Sequence, residues 1–386
     1  MATIQEIIKK SYSEYEKHHR LPDSVRKAAK ALMECRTAAL GGHVQACPEG
    51  HYHRQWYNSC RNRVCPQCNW LQIEKWLQRQ SERLLKCGHY HMIFTIPHEL
   101  NILWLWNKKK ITNILFKAVR DTLFEFFLDQ KHRGGKPGIT AAMHTWSQTL
   151  IDHPHIHCLI TEGGLSEEGQ WIEKRNGYLL PVRAVMAVFR GKMLDYVDRL
   201  VEKGRITLPA VMSVQRWKNL RNKLGRGKWN VHIRTRYEYG QGVLKYLSRY
   251  IRGGAISNKR IQSFKDGAVI FRHRSGDNKT EKMHLPVGEF LRRYFMHVPE
   301  PNTKVVRYYG LYASTAKEEL SQCREQLGQL PIKEREEIDW QSYCEEQGED
   351  HPELCPICGK KLVRVADIPR PCSSKPPDAK WLHYAA

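Results

Sequence analysis

The stretch from Ile151 to Gly164, IDHPHIHCLITEGG, constrains this chain more than any other. It sets His155 and His157 two residues apart inside an apolar run. In an extended chain alternate side chains share a face. A strand here therefore presents two imidazoles on one side and Ile156, Cys158 and Ile160 on the other. One face suits a core, and the other suits a divalent cation. Four His-x-His pairs occur among the 19 His, the others being His51/His53, His89/His91 and His153/His155, so the pattern alone is a weak signal. His89/His91, in the apolar run closed by Pro97, is a rival of the same form.

Two neighbours strengthen the first pair. Ile139 to Leu150 reads as a strand, separated from the His strand by the break Asp152-His153-Pro154. Two strands so joined form an antiparallel hairpin, which would bring His144 or Gln148 beside the pair as a third ligand. Downstream, VLKYLSRYIRG reads as a helix in which Tyr246 and Tyr250 are four residues apart and share a face. Lys245, Arg249 and Arg252 surround them. A tyrosine hydroxyl is a usable nucleophile toward phosphorus when a metal polarises the phosphate and basic groups stabilise the developing charge.

Charge points to the same kind of partner. Lys and Arg number 63 against 40 Asp and Glu, a formal +23, which suits a polyanion, most simply nucleic acid. Eleven Trp and 17 Tyr supply flat faces on which unpaired bases stack. No apolar run approaches the ~20 residues of a membrane span, and the N-terminus is charged throughout, without the pattern of a signal peptide. The expected setting is a reducing cytoplasm.

In such a setting clustered cysteines read as metal sites. Cys65-Pro-Gln-Cys68 is a zinc knuckle, with Cys47, His51 and Cys60 as further candidates. Zinc takes four N/S ligands, so the expected set is Cys47, Cys65 and Cys68, completed by His51 or Cys60. Arg61 and Arg63 beside it are candidate phosphate contacts. A second knuckle, Cys355-Pro-Ile-Cys358, has Cys344 and Cys372 as its candidate partners, with His351 as a substitute.

The segments FTIP (Phe94–Pro97), MHTWSQTL (Met143–Leu150), HPHIHCLITEGG (His153–Gly164), YLSRYIRG (Tyr246–Gly253) and RYYG (Arg307–Gly310) resemble the HUH-superfamily rolling-circle transposases. The group resembled is the two-tyrosine one of insertion sequence ninety-one, and SCRNRVCPQC (Ser59–Cys68) is similar to its zinc-binding domain. The resemblance implies an α+β fold, with an antiparallel sheet of the HUH endonuclease type flanked by helices. It implies a metal-dependent endonuclease and strand transferase acting on single-stranded DNA at insertion-sequence ends and target sites. His155 and His157 would hold Mg²⁺ or Mn²⁺, and Tyr246 and Tyr250 would form 5′-phosphotyrosine links. Structural Zn²⁺ would sit in the N-terminal domain. The family's first knuckle is usually CxxC, whereas Cys47-Pro-Glu-Gly-His51 stands here, which opens the question of the fourth zinc ligand.

The expected organisation is a helical and zinc-binding segment over 1–85, a catalytic segment over 86–315, and a charged helical tail with its knuckle over 316–386. A rolling-circle replication initiator would use the same core chemistry. A zinc-dependent nucleic-acid-binding protein without catalysis is the alternative of a different class.

Overall fold

The computed structural model describes residues 2–173, 178–251, 254–277, 279–332, 337–346, 348 and 351–371, without the side chains of residues 246 and 249–251. In chain order the elements begin with α1 (Ile4–His18), α2 (Asp23–Glu34), β1 (Gly42–Ala46), β2 (His53–Tyr57), α3 (Trp70–Arg83) and β3 (His89–Thr95). There follow α4 (Asn101–Trp106), α5 (Lys108–Leu128), β4 (Gly138–Trp146), β5 (Asp152–Thr161), β6 (Gly164–Leu165), β7 (Trp171–Ile172), α6 (Val182–Glu202), α7 (Val214–Arg226), β8 (Asn230–Ile233) and α8 (Gln241–Ile251). The remainder are β9 (Ile261–Lys265), β10 (Ala268–Arg274), β11 (Thr280–Pro286), α9 (Val287–Met296), β12 (Val306–Gly310), α10 (Lys317–Gln326), α11 (Trp340–Glu346) and β13 (Val363–Ile368). The fold is α+β, and every strand pair is antiparallel. Among the described residues no helix is long and apolar enough to cross a membrane.

The chain forms two compact units, each assembled from separated segments. Met1–Gln78, Arg252–Val298 and Glu336–Ala386 make one, and Arg79–Ile251 with Pro299–Arg335 make the other.

In the second unit a five-stranded sheet runs β12-β4-β5-β3-β8, so β5 lies at its centre. A central strand covered on both faces reads as a near-continuous apolar run rather than a half-polar one. Ile156, Cys158 and Ile160 on β5, with Met92 and Phe94 on β3 and Met143 on β4, pack against Leu115, Phe116, Phe189 and Met193 of α5 and α6. Full burial of each such aliphatic side chain stabilises the fold by about 1.5–3 kcal/mol. Because side chains alternate, the register that sends these residues to the core turns His91, His144, His155 and His157 to the opposite face.

Helix α8 lies against β4 and β5, burying Val243, Leu244 and Leu247. None of these belongs to the core beneath α5 and α6, which puts α8 on the histidine face. Gly240, just before the helix, fixes the approach: a Cβ there would stand 3.0 Å from the His89 ring. Helices α4 and α5 are separated at Asn107, whose φ of −138° and ψ of 41° are not helical. Its side-chain amide donates to the carbonyls of Leu103 and Thr207.

In the first unit α1 packs on α2 and α9, with Tyr12 edge-on to Phe295 at 5.7 Å. Gln5 donates to the carbonyls of Leu32, Met33 and Cys35, satisfying the end of α2 where helical partners run out. The β1–β2 hairpin accepts a third strand from the far end of the chain, β13, in the order β13-β1-β2. That strand is not anticipated by the sequence, since VRVADI lies in a charged tail.

Candidate metal centres

Three buried histidines converge on the face of the central sheet that α8 covers. His144 on β4 pairs directly with His155 on β5, and His157 follows on the same face. Ring centroids lie 5.2 Å apart for His144 and His155, 4.1 Å for His144 and His157, and 4.8 Å for His155 and His157. One ligand nitrogen from each falls within 4.8 Å of the other two. His144 is therefore the third member left open by the sequence. Gln148 stands exposed in the turn beyond β4, which ends at Trp146.

The surroundings orient the rings. His155 Nδ1 lies 2.5 Å from the His153 carbonyl, so Nδ1 carries the proton and Nε2 keeps its lone pair. His157 Nδ1 lies 2.7 Å from His91 Nε2, and the Nε2 atoms of His144 and His157 are shut off from water. Burial holds His155 and His91 down at about 4 and likewise lowers His144 and His157. Arg234, after β8, adds positive charge felt at His91 and His157. Three neutral imidazoles with oriented lone pairs are a donor set that fits a divalent transition metal. Sequence reasoning missed both Arg234 and the supporting role of His91. The rival pair splits, with His91 beside the trio and His89 bonded instead to the Tyr312 hydroxyl at 2.8 Å and the Cys87 carbonyl at 2.9 Å.

Tyr246 and Tyr250 lie on α8, against the strands that carry the trio. Their side chains, that of Arg249, and all of Arg252 lie outside the described residues. Lys245 is exposed on the same helix.

Among the described residues the cysteines form two clusters, differently from the expected sets. Cys35, Cys60, Cys65 and Cys68 make one, and Cys47, His51, Cys355 and Cys358 the other, each with its ligand atoms within 4.8 Å. The reason is the β1–β2 hairpin. Gly42 pairs with Tyr57 at its base and Ala46 with His53 at its tip, and five-residue strands at about 3.4 Å per residue hold the two ends roughly 14 Å apart. One tetrahedral ion cannot span that, so Cys47 and His51 at the tip separate from Cys60, Cys65 and Cys68 at the base. Cys35, at the end of α2, takes the vacancy that sequence reasoning had filled from upstream. The only hint was five cysteines between 35 and 68 for four places. Cys344 is buried in α11 and belongs to neither cluster, and Cys372 lies outside the described residues.

In the base cluster the sulfurs of Cys60 and Cys68 lie 3.7 Å apart, as do those of Cys35 and Cys65. Asn69 braces the loop by donating to the carbonyls of Asn62, Arg63 and Cys65. Hydrogen bonding with Cys60 brings the Cys35 thiol down to about 7, and contact with Cys35 lowers Cys68. Four sulfurs gathered at this spacing are the donor set that a structural zinc takes. Beside the cluster, a groove of about 1270 Å³ is lined by Arg36, Arg61, Lys259, Trp56, Trp340 and Tyr343. Arg63 is half-buried on the same loop.

Residues 138–319 match the family described as "Putative transposase", and residues 7–96 match the "Transposase zinc-binding domain" of the IS91 type. Among similar proteins, "Putative transposase y4qJ" of Sinorhizobium fredii (strain NBRC 101917 / NGR234) is 33% identical over 363 residues, covering 91% of each chain. The "Transposase for insertion sequence element IS801" of Pseudomonas savastanoi pv. phaseolicola is 26% identical over 347 residues, covering 87% of this chain and 82% of that one. Among solved structures, the conjugative relaxase TRWC in complex with oriT DNA aligns over 41% of this chain and 68% of its own at 12% identity. Its TM-score of 0.24 is too low to bear on the fold.

Proposed function

The chain belongs to the transposases of the IS91 type, and on that premise we propose that it cuts and rejoins single-stranded DNA at the ends of its insertion sequence by a rolling-circle route. The observation that carries this reading is the His144–His155–His157 trio on the sheet face that α8 covers. The trio would hold one divalent cation, and nitrogen donors favour Mn²⁺ over Mg²⁺. When bound, that cation supplies Lewis-acid polarisation of the scissile phosphate.

Tyr246 or Tyr250 attacks phosphorus. The tyrosine oxygen–phosphorus bond forms as the bond to the 3′ oxygen breaks, the tyrosine proton passes to solvent, and solvent returns a proton to the departing 3′ oxygen to leave a free 3′-OH. The 5′-phosphotyrosine conserves the bond for a later transfer, and a second tyrosine four residues on allows two linked cleavages. Lys245, Arg234, Arg249 and Arg252 supply positive charge for the developing negative charge at phosphorus. In the other unit, the groove that pairs Arg36, Arg61 and Lys259 with Trp56, Trp340 and Tyr343 suits a single strand, by backbone attraction and base stacking. The expected place of action is the prokaryotic cytoplasm, on DNA.

The test is a covalent-adduct assay. Purified protein is mixed with labelled single-stranded oligonucleotides of the element ends, in Mn²⁺ or in EDTA, and run on a denaturing gel. A metal-dependent shifted band that disappears in the Tyr246→Phe, Tyr250→Phe double variant supports the proposal. Binding without any adduct would replace it with a non-catalytic DNA-binding role.

A further inference from the structure

The tip cluster is a second metal site, and half of it comes from the other end of the chain. Cys47 and His51 sit in the turn between β1 and β2, while Cys355 and Cys358 sit in the turn that leads into β13. The strand register places them together: Ala46 pairs with His53 on one side and with Val363 on the other. All four ligands thus emerge from the same end of one three-stranded sheet.

The two turns share a five-residue closure, though the glycine stands three residues after Cys47 in one and four after Cys355 in the other. The N–H of Cys47 donates to the carbonyl of Tyr52, and that of Cys355 to the carbonyl of Lys360, each at 2.8 Å and each five residues on. Gly50 and Gly359 close the turns with N–H bonds to the Cys47 and Cys355 carbonyls at 2.9 Å. Their φ values of +73° and +69° are ones that glycine adopts without strain. The Cys47 and Cys358 sulfurs lie 3.5 Å apart. Cys47 and Cys355 are buried with Leu362 in a small apolar cluster of their own, and Lys360 pairs with Glu49 across the two turns.

Neither turn alone offers more than two ligands, and a structural zinc takes four. The matched zinc-binding domain ends at residue 96, so it contains only half of this set. We propose that Cys47, His51, Cys355 and Cys358 hold a zinc ion that fastens the C-terminal β13 arm onto the N-terminal hairpin. The folded chain then carries two structural zinc ions, one at each end of β1. The module that begins the chain is completed only when the C-terminal segment has been made.

Metal analysis of the purified full-length protein tests this independently of any DNA chemistry. Two zinc ions per chain are expected, falling by one in Cys358→Ser and in Cys355→Ser and restored in Cys358→His, which keeps a ligand. Zinc content unchanged in Cys358→Ser overturns the proposal, whatever the base cluster holds. Thiol alkylation of the unaltered protein covers the case in which the variants do not fold. Cys358 is exposed, so if it is metal-bound it resists iodoacetamide until a chelator strips the zinc. Alkylation of Cys358 at the rate of an open thiol, with no zinc released, also overturns it.

Discussion

His91 on β3 holds His157 on β5: the Nε2 of the first lies 2.7 Å from the Nδ1 of the second, with the rings 4.9 Å apart. The contact bridges two paired strands, Ile93 standing opposite His157 in the register.

His91 is therefore expected to act as a positioning residue. Outer partners of ligand histidines typically contribute 10–100-fold in metal affinity or activity. His91→Ala should raise the Mn²⁺ concentration needed for half-maximal adduct formation by about that factor, while adduct yield at saturating metal recovers in large part. An unchanged metal requirement would remove His91 from the site.

The register separates the two candidate third ligands. His144→Ala should abolish metal-dependent adduct formation as fully as His155→Ala or His157→Ala, and Gln148→Ala should leave it within about twofold. Loss of activity in the Gln148 variant with His144→Ala active would reverse the assignment.

Cys35 is expected to be a zinc ligand and Cys344 not. Cys35→Ser should remove one zinc ion per chain and lower the melting temperature, because the binding energy of a structural zinc is folding energy. Cys344→Ser should keep the full zinc content. Equal zinc loss in both variants would contradict the cluster geometry.

His89 gives a pH dependence outside the metal trio. Burial lowers its pKa from 6.5 to about 4, consistent with a ring that accepts from the Tyr312 hydroxyl and donates to the Cys87 carbonyl. Above pH 6.5 the ring is neutral in both folded and unfolded chains. As pH falls toward 4 only the unfolded chain gains the proton, so stability falls across that window. At pH 5 the loss is about 2 kcal/mol for this one imidazole, from 1.5 pH units at roughly 1.4 kcal/mol each. Denaturant melts of the parent and of His89→Gln at pH 7 and pH 5 check this. The variant's smaller drop should account for the difference, and identical drops would exclude His89 as a source.

Much of the second unit was legible in the sequence because its signals are local. The strand at His155 and His157 follows from alternation within ten residues, and the helix carrying Tyr246 and Tyr250 follows from its own composition. The ordered segments around them sufficed to place the chain in its family. What the sequence could not supply was pairing over distance. His144 was separated from Gln148 only by the register of β4 on β5, which depends on where the hairpin turns. His91 reached the site through a strand pairing that spans 66 residues. The cysteines show the limit most plainly. The sequence groups Cys47 with Cys65 and Cys68, but a rigid hairpin keeps its tip from its base. Cys47 instead met Cys358, 311 residues away, because β13 completes the sheet edge that β1 leaves open. Local periodicity fixed which segments could be strands, helices and knuckles. The choice of partners was made by the closing of the sheets, where backbone hydrogen bonding sets register and distance together.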